Sequence, residues 1–284
     1  DIVWGSASTS LEYATADFAT STLAAAVHNT SVKRTFLTRA GWWKANFNPA
    51  DGYVEPRSAT GAFLPIGKTG QAHGFVEGDG SQYTFMVPFD VAGLRSLLGG
   101  AKAFVSRLDT LFTELNAGPN SAYAFLGNEP QLDTPYEYLW AGRPDRTEAV
   151  VGAAMDSMYA PTPGGYPGNI DGGTMTSWWI FNAIGLYPAI PGDDVLTIGA
   201  PRFSRVDISL PDGHLLRIDA PGATRATPYV AGARLDGQRI AKAWLRYSAI
   251  ADGATLRVRT SAKPSRWAAS LTAAPPSYGS QGRE

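Results

Sequence analysis

The chemistry open to this chain has to come from carboxylates, because it has no cysteine and only three histidines, His28, His73 and His214. His28 falls at an apparent helix end and His214 in an apparent hairpin turn, positions where a surface histidine is the ordinary occupant. His73 lies in a long irregular segment and stays a candidate. Neither a Gly-x-Ser-x-Gly nucleophile elbow nor a phosphate-binding glycine loop ending in Lys-Ser/Thr occurs. Hydrolysis by a pair of acids remains. The best-mounted acid is Asp171, which follows Gly165-Tyr166-Pro167-Gly168-Asn169-Ile170 and precedes Gly172-Gly173-Thr174 and an apolar helix through Trp178, Trp179 and Phe181. The two glycines permit backbone geometries and close approaches that side chains forbid, and Thr174, Thr176 and Ser177 can satisfy the first free N–H groups. A reactive carboxylate can be mounted this way, and so can a helix-capping one.

The elements that would position such acids are mostly helical up to about residue 188. Apolar spacing predicts helices over residues 8–26 and 31–47, then 88–98 and 101–115 across Gly99-Gly100, an aromatic helix through Tyr136, Tyr138, Leu139 and Trp140, and a further one over 145–159. Residues 52–82 show no sustained period and hold many polar groups, as functional loops do. From about 189 to 264, short alternating runs separated by Pro211-Asp212-Gly213, Asp236-Gly237 and Asp252-Gly253 read as a small antiparallel β module. Residues 265–284, with Pro275-Pro276 and a Gly/Ser-rich end, read as a flexible tail.

With 284 residues, 44% hydrophobic, 17% charged and a formal net charge of −1, the composition is that of a soluble protein with ample material for a core. There is no Lys/Arg cluster in the sequence to mark a nucleic-acid partner, and no apolar run long enough to span a bilayer. Eight tryptophans suit carbohydrate recognition. Without cysteine, disulfides and thiolate metal sites are excluded.

Five ordered stretches then resemble the motifs of glycoside hydrolase family 92: Ser10-Leu11-Glu12-Tyr13-Ala14 with Asp17; Glu77-Gly78 with Gln82-Tyr83; Gly127-Asn128-Glu129-Pro130; Ala141-Gly142-Arg143-Pro144; and Gly168-Asn169-Ile170-Asp171-Gly172-Gly173 running to Gly185-Leu186-Tyr187-Pro188. The resemblance implies a secreted, periplasmic or cell-surface bacterial enzyme, a calcium-dependent, inverting, exo-acting α-mannosidase acting on mannose-containing glycans such as N-glycans. It implies Glu77 as general acid and Asp171 as general base, Asn128 and Glu129 at Ca2+, and Asn169, Gln82, His73 and Glu12 against substrate. It also implies a mainly α fold in which residues 1–188 form the C-terminal part of an (α/α)6 toroid, followed by the β module. The front β-sandwich and first toroid helices would be missing or supplied as a second chain. One departure stands out: family members commonly carry Glu-Gly-Asn-Ala-Trp-Gln-Tyr, whereas this chain has Glu77-Gly78-Asp79-Gly80-Ser81-Gln82-Tyr83. Losing the Trp, with Arg57 and Lys68 in the same segment, leaves room for a mannosyl phosphodiester such as mannose-1-phospho-6-mannose as an alternative substrate. A non-catalytic carbohydrate-binding fragment is the alternative from another class.

Overall fold

The computed structural model describes residues 5–64 and 74–279, so His73 and Lys68 lie outside the described residues. The chain divides into two compact units: Asp1–Thr134 with Ile190–Asp193 and Pro276–Glu284, and Pro135–Ala189 with Asp194–Pro275. The division falls inside the helical region, unlike the boundary near residue 188 that composition suggests.

The first unit begins with α1 (Ser6–Ala26), which buries Leu11, Ala14 and Phe18, and α2 (Thr30–Ala40). Asn29 caps α2 by accepting the Val32 N–H at 3.1 Å, and Arg39 pairs with Asp17 of α1 at 3.0 Å. The helix expected to run to residue 47 tightens into a 3-10 stretch at Gly41–Asn46. The cause is a buried anchor: the Trp43 indole donates to Asp90 at 3.1 Å, drawing the chain inward. Asp90 is fully buried, pairs with Lys44 at 2.8 Å and caps the helix that follows it through the Gly93 N–H. The hairpin of β1 (Phe47–Asn48) and β2 (Tyr53–Val54) comes next, then α3 (Gly80–Tyr83), α4 (Val91–Leu97) and α5 (Ala101–Leu111). Phe18 sits against Phe89 and Tyr278, with ring centroids 5.2 and 4.9 Å away.

In the second unit the aromatic stretch Thr134–Ala141, save its first residue, is 3-10 rather than α. It leads to α6 (Pro144–Ser157) and α7 (Thr174–Ile184). The strands are β3 (Leu186–Tyr187), β4 (Val195–Ile198), β5 (Arg205–Ser209), β6 (Leu215–Asp219), β7 (Tyr229–Leu235), β8 (Gln238–Ile240), β9 (Trp244–Arg246) and β10 (Ala254–Ser261). They form one sheet ordered β3-β4-β9 and another ordered β5-β6-β10-β7-β8. The module is not wholly antiparallel, since β10 runs parallel to β6, Leu256 opposite Ile218. Asp252-Gly253 therefore leads into a crossover rather than a hairpin. Inward residues Ile218, Val230, Leu256 and Val258 make the core of this sheet.

Residues 265–279 are not the loose tail their composition suggests. Ser265 Oγ donates to Val230 O at 2.6 Å, Trp267 Nε1 to Ile240 O at 2.8 Å, and Trp244 Nε1 to Ala274 O at 2.9 Å. Indole and hydroxyl donors thus fasten a segment whose sequence lacks any periodic pattern.

Candidate active site

Glu77 stands in a short bow between Gly74 and Asp79, tied by hydrogen bonds at Gly74, Val76, Glu77 and Asp79. The Gly74 carbonyl accepts the Ala7 and Ser8 N–H groups at the start of α1, at 2.8 and 3.2 Å. Val76 N donates to Ser8 Oγ at 3.1 Å, and Tyr83 donates its hydroxyl to Val76 O at 2.7 Å. Asn128 Nδ2 donates to the Glu77 carbonyl at 2.9 Å. Asp79 then starts α3 with a capping box, its carboxylate accepting the Ser81 and Gln82 N–H groups while Gln82 Oε1 accepts the Asp79 N–H. Gly78 has to be glycine, because a Cβ there would stand 2.7 Å from the Tyr83 ring. Glu77 itself is held at φ 55°, in the left-handed region that glutamate seldom visits. Its side chain is exposed, and among the described residues its carboxylate makes no hydrogen bond or ion pair.

Glu12, Tyr83, Asn128 and Glu129 of the first unit are linked to this bow through hydrogen bonds or charge. Burial first, and then the charges of Glu12 and Glu77, push the Tyr83 hydroxyl well up, so the phenol lies within the field of both acids. The Glu12 carboxyl, although it reaches solvent, is itself raised, first by desolvation and then by the charge of Glu129. Asn128 bridges these pieces: besides holding Glu77 it accepts the Glu129 N–H on Oδ1 at 3.2 Å, at the start of the 3-10 turn Glu129–Gln131.

Gln82 does not fit the substrate-contact role expected of it. It is buried, and its amide donates to the Gly118 and Tyr123 carbonyls at 2.8 and 2.9 Å. Both of its amide donors go into holding loops together. Asn128 likewise works as a bracket between two turns, whereas Tyr83 is a site residue that its type and spacing did not single out. Only its place in the Gln82-Tyr83 pair pointed there.

Asp171 belongs to the second unit. It does not cap α7: the N-cap is Gly173 at φ 103°, with no side-chain capping bond, and Gly172 between them is also left-handed. Asp171 has φ 47°, and its own carbonyl accepts the Thr174 hydroxyl at 2.8 Å. Below it, Met175 and Trp178 are buried, Tyr159 stacks on Trp178 at 6.0 Å, and the Tyr159 hydroxyl donates to Met175 O at 3.0 Å. The carboxylate is half-buried and, among the described residues, is spent on no hydrogen bond or ion pair. Asn169 is exposed on the same loop. Six non-glycine residues among those described have positive φ. Asp212 and Asp236 sit in strand-joining turns and His28 at a helix end, where that geometry is ordinary. Ala268 shares that geometry in the segment after β10, and Glu77 and Asp171 take it on loops that carry a carboxylate without a partner among the described residues; strained backbone of this kind often gathers at functional sites.

Each unit thus holds one carboxylate on a glycine-flanked turn with no hydrogen bond or ion pair among the described residues. The model of the glycosyl hydrolase family 92 catalytic domain matches residues 1–262, and the chain belongs to that family. It is similar in structure to a family 92 α-mannosidase from Bacteroides thetaiotaomicron, at TM-score 0.87 and 32% identity over 94% of this chain and 36% of that one. A second structure from the same species, described as an inverting mannosidase, matches at TM-score 0.86 and 26% identity, covering 96% of this chain and 40% of that one. An uncharacterized secreted glycosidase of Arthroderma benhamiae is 29% identical over 236 residues, which is 82% of this chain and 30% of that protein. The chain thus spans about a third of the length of these relatives.

Proposed function

We propose that this chain carries the acid and base of an inverting, exo-acting α-mannosidase, Glu77 as general acid and Asp171 as general base. The observation that supports it is the shared state of the two residues: each is a non-glycine held at left-handed φ by its surroundings, with a carboxylate free of partners among the described residues. Glu77 gives its proton to the glycosidic oxygen as the C1–O bond breaks. Asp171 takes a proton from the water that bonds to C1 from the opposite face, so the anomeric centre inverts. Such enzymes hold the two carboxyls about 6.5–9.5 Å apart, leaving room for that water.

Calcium fits the donors of the first unit. Among the described residues there is no group of three or more His, Cys, Asp or Glu arranged for a metal, but hard cations take carbonyl and water oxygens as readily as carboxylates. The Glu12 carboxyl is raised first by desolvation and then by the Glu129 charge, and a cation held by Glu12 and Glu129 would offset both. Bound calcium would supply positive charge for sugar hydroxyls. Asn128 fixes the turn that presents Glu129, and it retains one Oδ1 lone pair.

The phosphodiester alternative draws less support. Arg57 is committed elsewhere, donating to the Ala45 and Gly61 carbonyls at 2.5 and 2.6 Å and stacking 3.9 Å over Phe63, while Ser81 is buried in α3. The (α/α)6 toroid that the family resemblance implies stays part of this proposal. The length of the relatives, together with outward Tyr13, Leu23, Val27 and Trp42 in the first unit, supports a site completed by a counterpart of their remaining portion, in an enzyme that is secreted, periplasmic or on the cell surface.

The test is the anomer first released from α-1,2-mannobiose, followed by proton NMR. β-Mannose is expected. α-Mannose first would overturn inversion, and turnover of mannose-1-phospho-6-mannose alone would reverse the choice of substrate.

A further inference from the structure

The outer face of the five-stranded sheet carries charges in register. Arg205 lies opposite Asp219, Asp219 opposite Arg257, Arg257 opposite Arg234, and Arg234 opposite Arg239, so one row crosses all five strands. Its first half is neutralised: Asp207 takes Arg205 and Arg217 at 2.6 and 2.9 Å, and Asp219 takes Arg257 at 2.7 Å. The other acid nearby, Asp236, accepts the Thr255 N–H at 2.8 Å in the β7–β8 turn. The second half is not neutralised. Arg234, Arg239, Arg259 and Arg266 form no ion pair among the described residues, although like charges directly opposite each other destabilise a sheet. Arg259 and Arg234 reach only backbone carbonyls, Ala231 O at 2.7 Å and Gly237 O at 2.6 Å.

These arginines are not spread over a flat surface. With Arg257 and Trp267 they line a groove of about 620 Å³. Strands are ~4.8 Å apart and residues two along a strand ~7 Å apart, so the guanidiniums offer a grid on the scale of neighbouring sugar rings. Trp267 is half-buried with its indole N–H fixed on Ile240 O, which leaves an immobile aromatic wall for a ring to lie on. Guanidinium pairs planar carboxylate bidentately. Single-stranded nucleic acid would call for a series of stacking platforms, and this groove has one.

We propose that this groove is a binding site for an acidic polysaccharide, one bearing carboxylates on adjacent sugars. It is separate from the Asp171 turn and holds the enzyme on an anionic glycan matrix. The choice of glycan rests on the glycosidase reading, whereas the anion site rests on the arginines alone. The probe is polygalacturonate, cast into native gels at about 0.15 M salt, with neutral dextran as control. Polygalacturonate should retard the protein and dextran should not. The variant R239Q/R266Q, which removes two side chains that form no hydrogen bond or ion pair among the described residues, should weaken retardation about tenfold or more with unchanged melting temperature and unchanged mannoside turnover. Equal retardation of variant and wild type, or none of the wild type, overturns the site. A single-stranded oligonucleotide binding as tightly as polygalacturonate overturns the choice of ligand. Absence of mannoside hydrolysis alongside intact retardation would sink the catalytic reading and leave this one standing.

Discussion

Asn128 Nδ2 donates to the backbone carbonyl of Glu77 at 2.9 Å, while Oδ1 of the same amide accepts the Glu129 N–H at 3.2 Å. One buried side chain therefore sets both the turn that aims the acid and the turn that aims Glu129. Asn128→Ala should cost about 1–3 kcal/mol by leaving these groups without their partner, read as a lowered unfolding midpoint. It should also lower kcat by about tenfold or more, since a displaced proton donor loses alignment. Asn128→Asp keeps the acceptor and loses the donor, so it should damage kcat while leaving Ca2+ affinity closer to wild type. Equal kcat in all three proteins would show that the bracket does not position Glu77.

Glu77→Gln and Asp171→Asn should each lower kcat on a natural mannoside by about 10²–10⁴, the usual worth of one proton transfer. The two losses should differ with leaving group. An aryl mannoside with an acidic phenol needs little protonation, so it should recover most of the Glu77→Gln loss and none of the Asp171→Asn loss. Identical behaviour of both variants across a leaving-group series would remove the assignment of roles.

Much of this arrangement was legible in the sequence, and the parts that were not have physical causes. Local spacing revealed α1, α6, α7 and most strands, because each buries one periodic face. It failed at Gly41–Asn46 and Thr134–Ala141, where buried aromatic side chains tighten the backbone into 3-10 geometry. It placed Asp171 correctly on a glycine-rich turn but could not separate a cap from an unspent carboxylate, which only the Gly173 N-cap decides. The family resemblance alone made Gln82 an expected substrate contact. Its partners, the Gly118 and Tyr123 carbonyls, are 36 and 41 residues away in sequence. The parallel pairing of β6 with β10 was likewise a non-local choice that no turn residue announces.

Glu148 on α6 is buried and accepts the Val230 N–H at 3.0 Å, and burial raises its pKa well above 4.5, with Asp145 adding to the shift. A raised carboxyl binds its proton more tightly folded than unfolded, so its contribution to stability is whole below the ordinary glutamate value and is lost as pH rises towards the folded one. Within that window the slope approaches about 1.4 kcal/mol per pH unit. Glu148→Gln keeps the acceptor for Val230 and cannot ionise, so it should be the more stable protein at neutral pH and nearly equal at pH 4. Denaturant melts at both values test this, and a variant less stable at both would mean that the charge is accommodated.

Calcium binding should carry the opposite pH sign, through Glu12. Desolvation and the Glu129 charge raise the Glu12 carboxyl, so protons compete for it at pH values where an isolated glutamate would already be ionised. Affinity should therefore fall as pH drops, starting above the ordinary glutamate range, and release of a proton should accompany binding near that point. Because a ligand bound only by the folded state stabilises by about 2.7 kcal/mol at a hundredfold excess over Kd, the melting temperature should rise with Ca2+ at neutral pH and rise progressively less as pH falls towards the ordinary glutamate range. Glu12→Gln removes the competing proton together with one ligand charge. It should weaken binding while flattening its pH dependence, and Glu129→Gln should weaken binding while returning the Glu12 carboxyl towards its usual value. A calcium response that keeps its full pH dependence in Glu12→Gln would place the ion away from this pair.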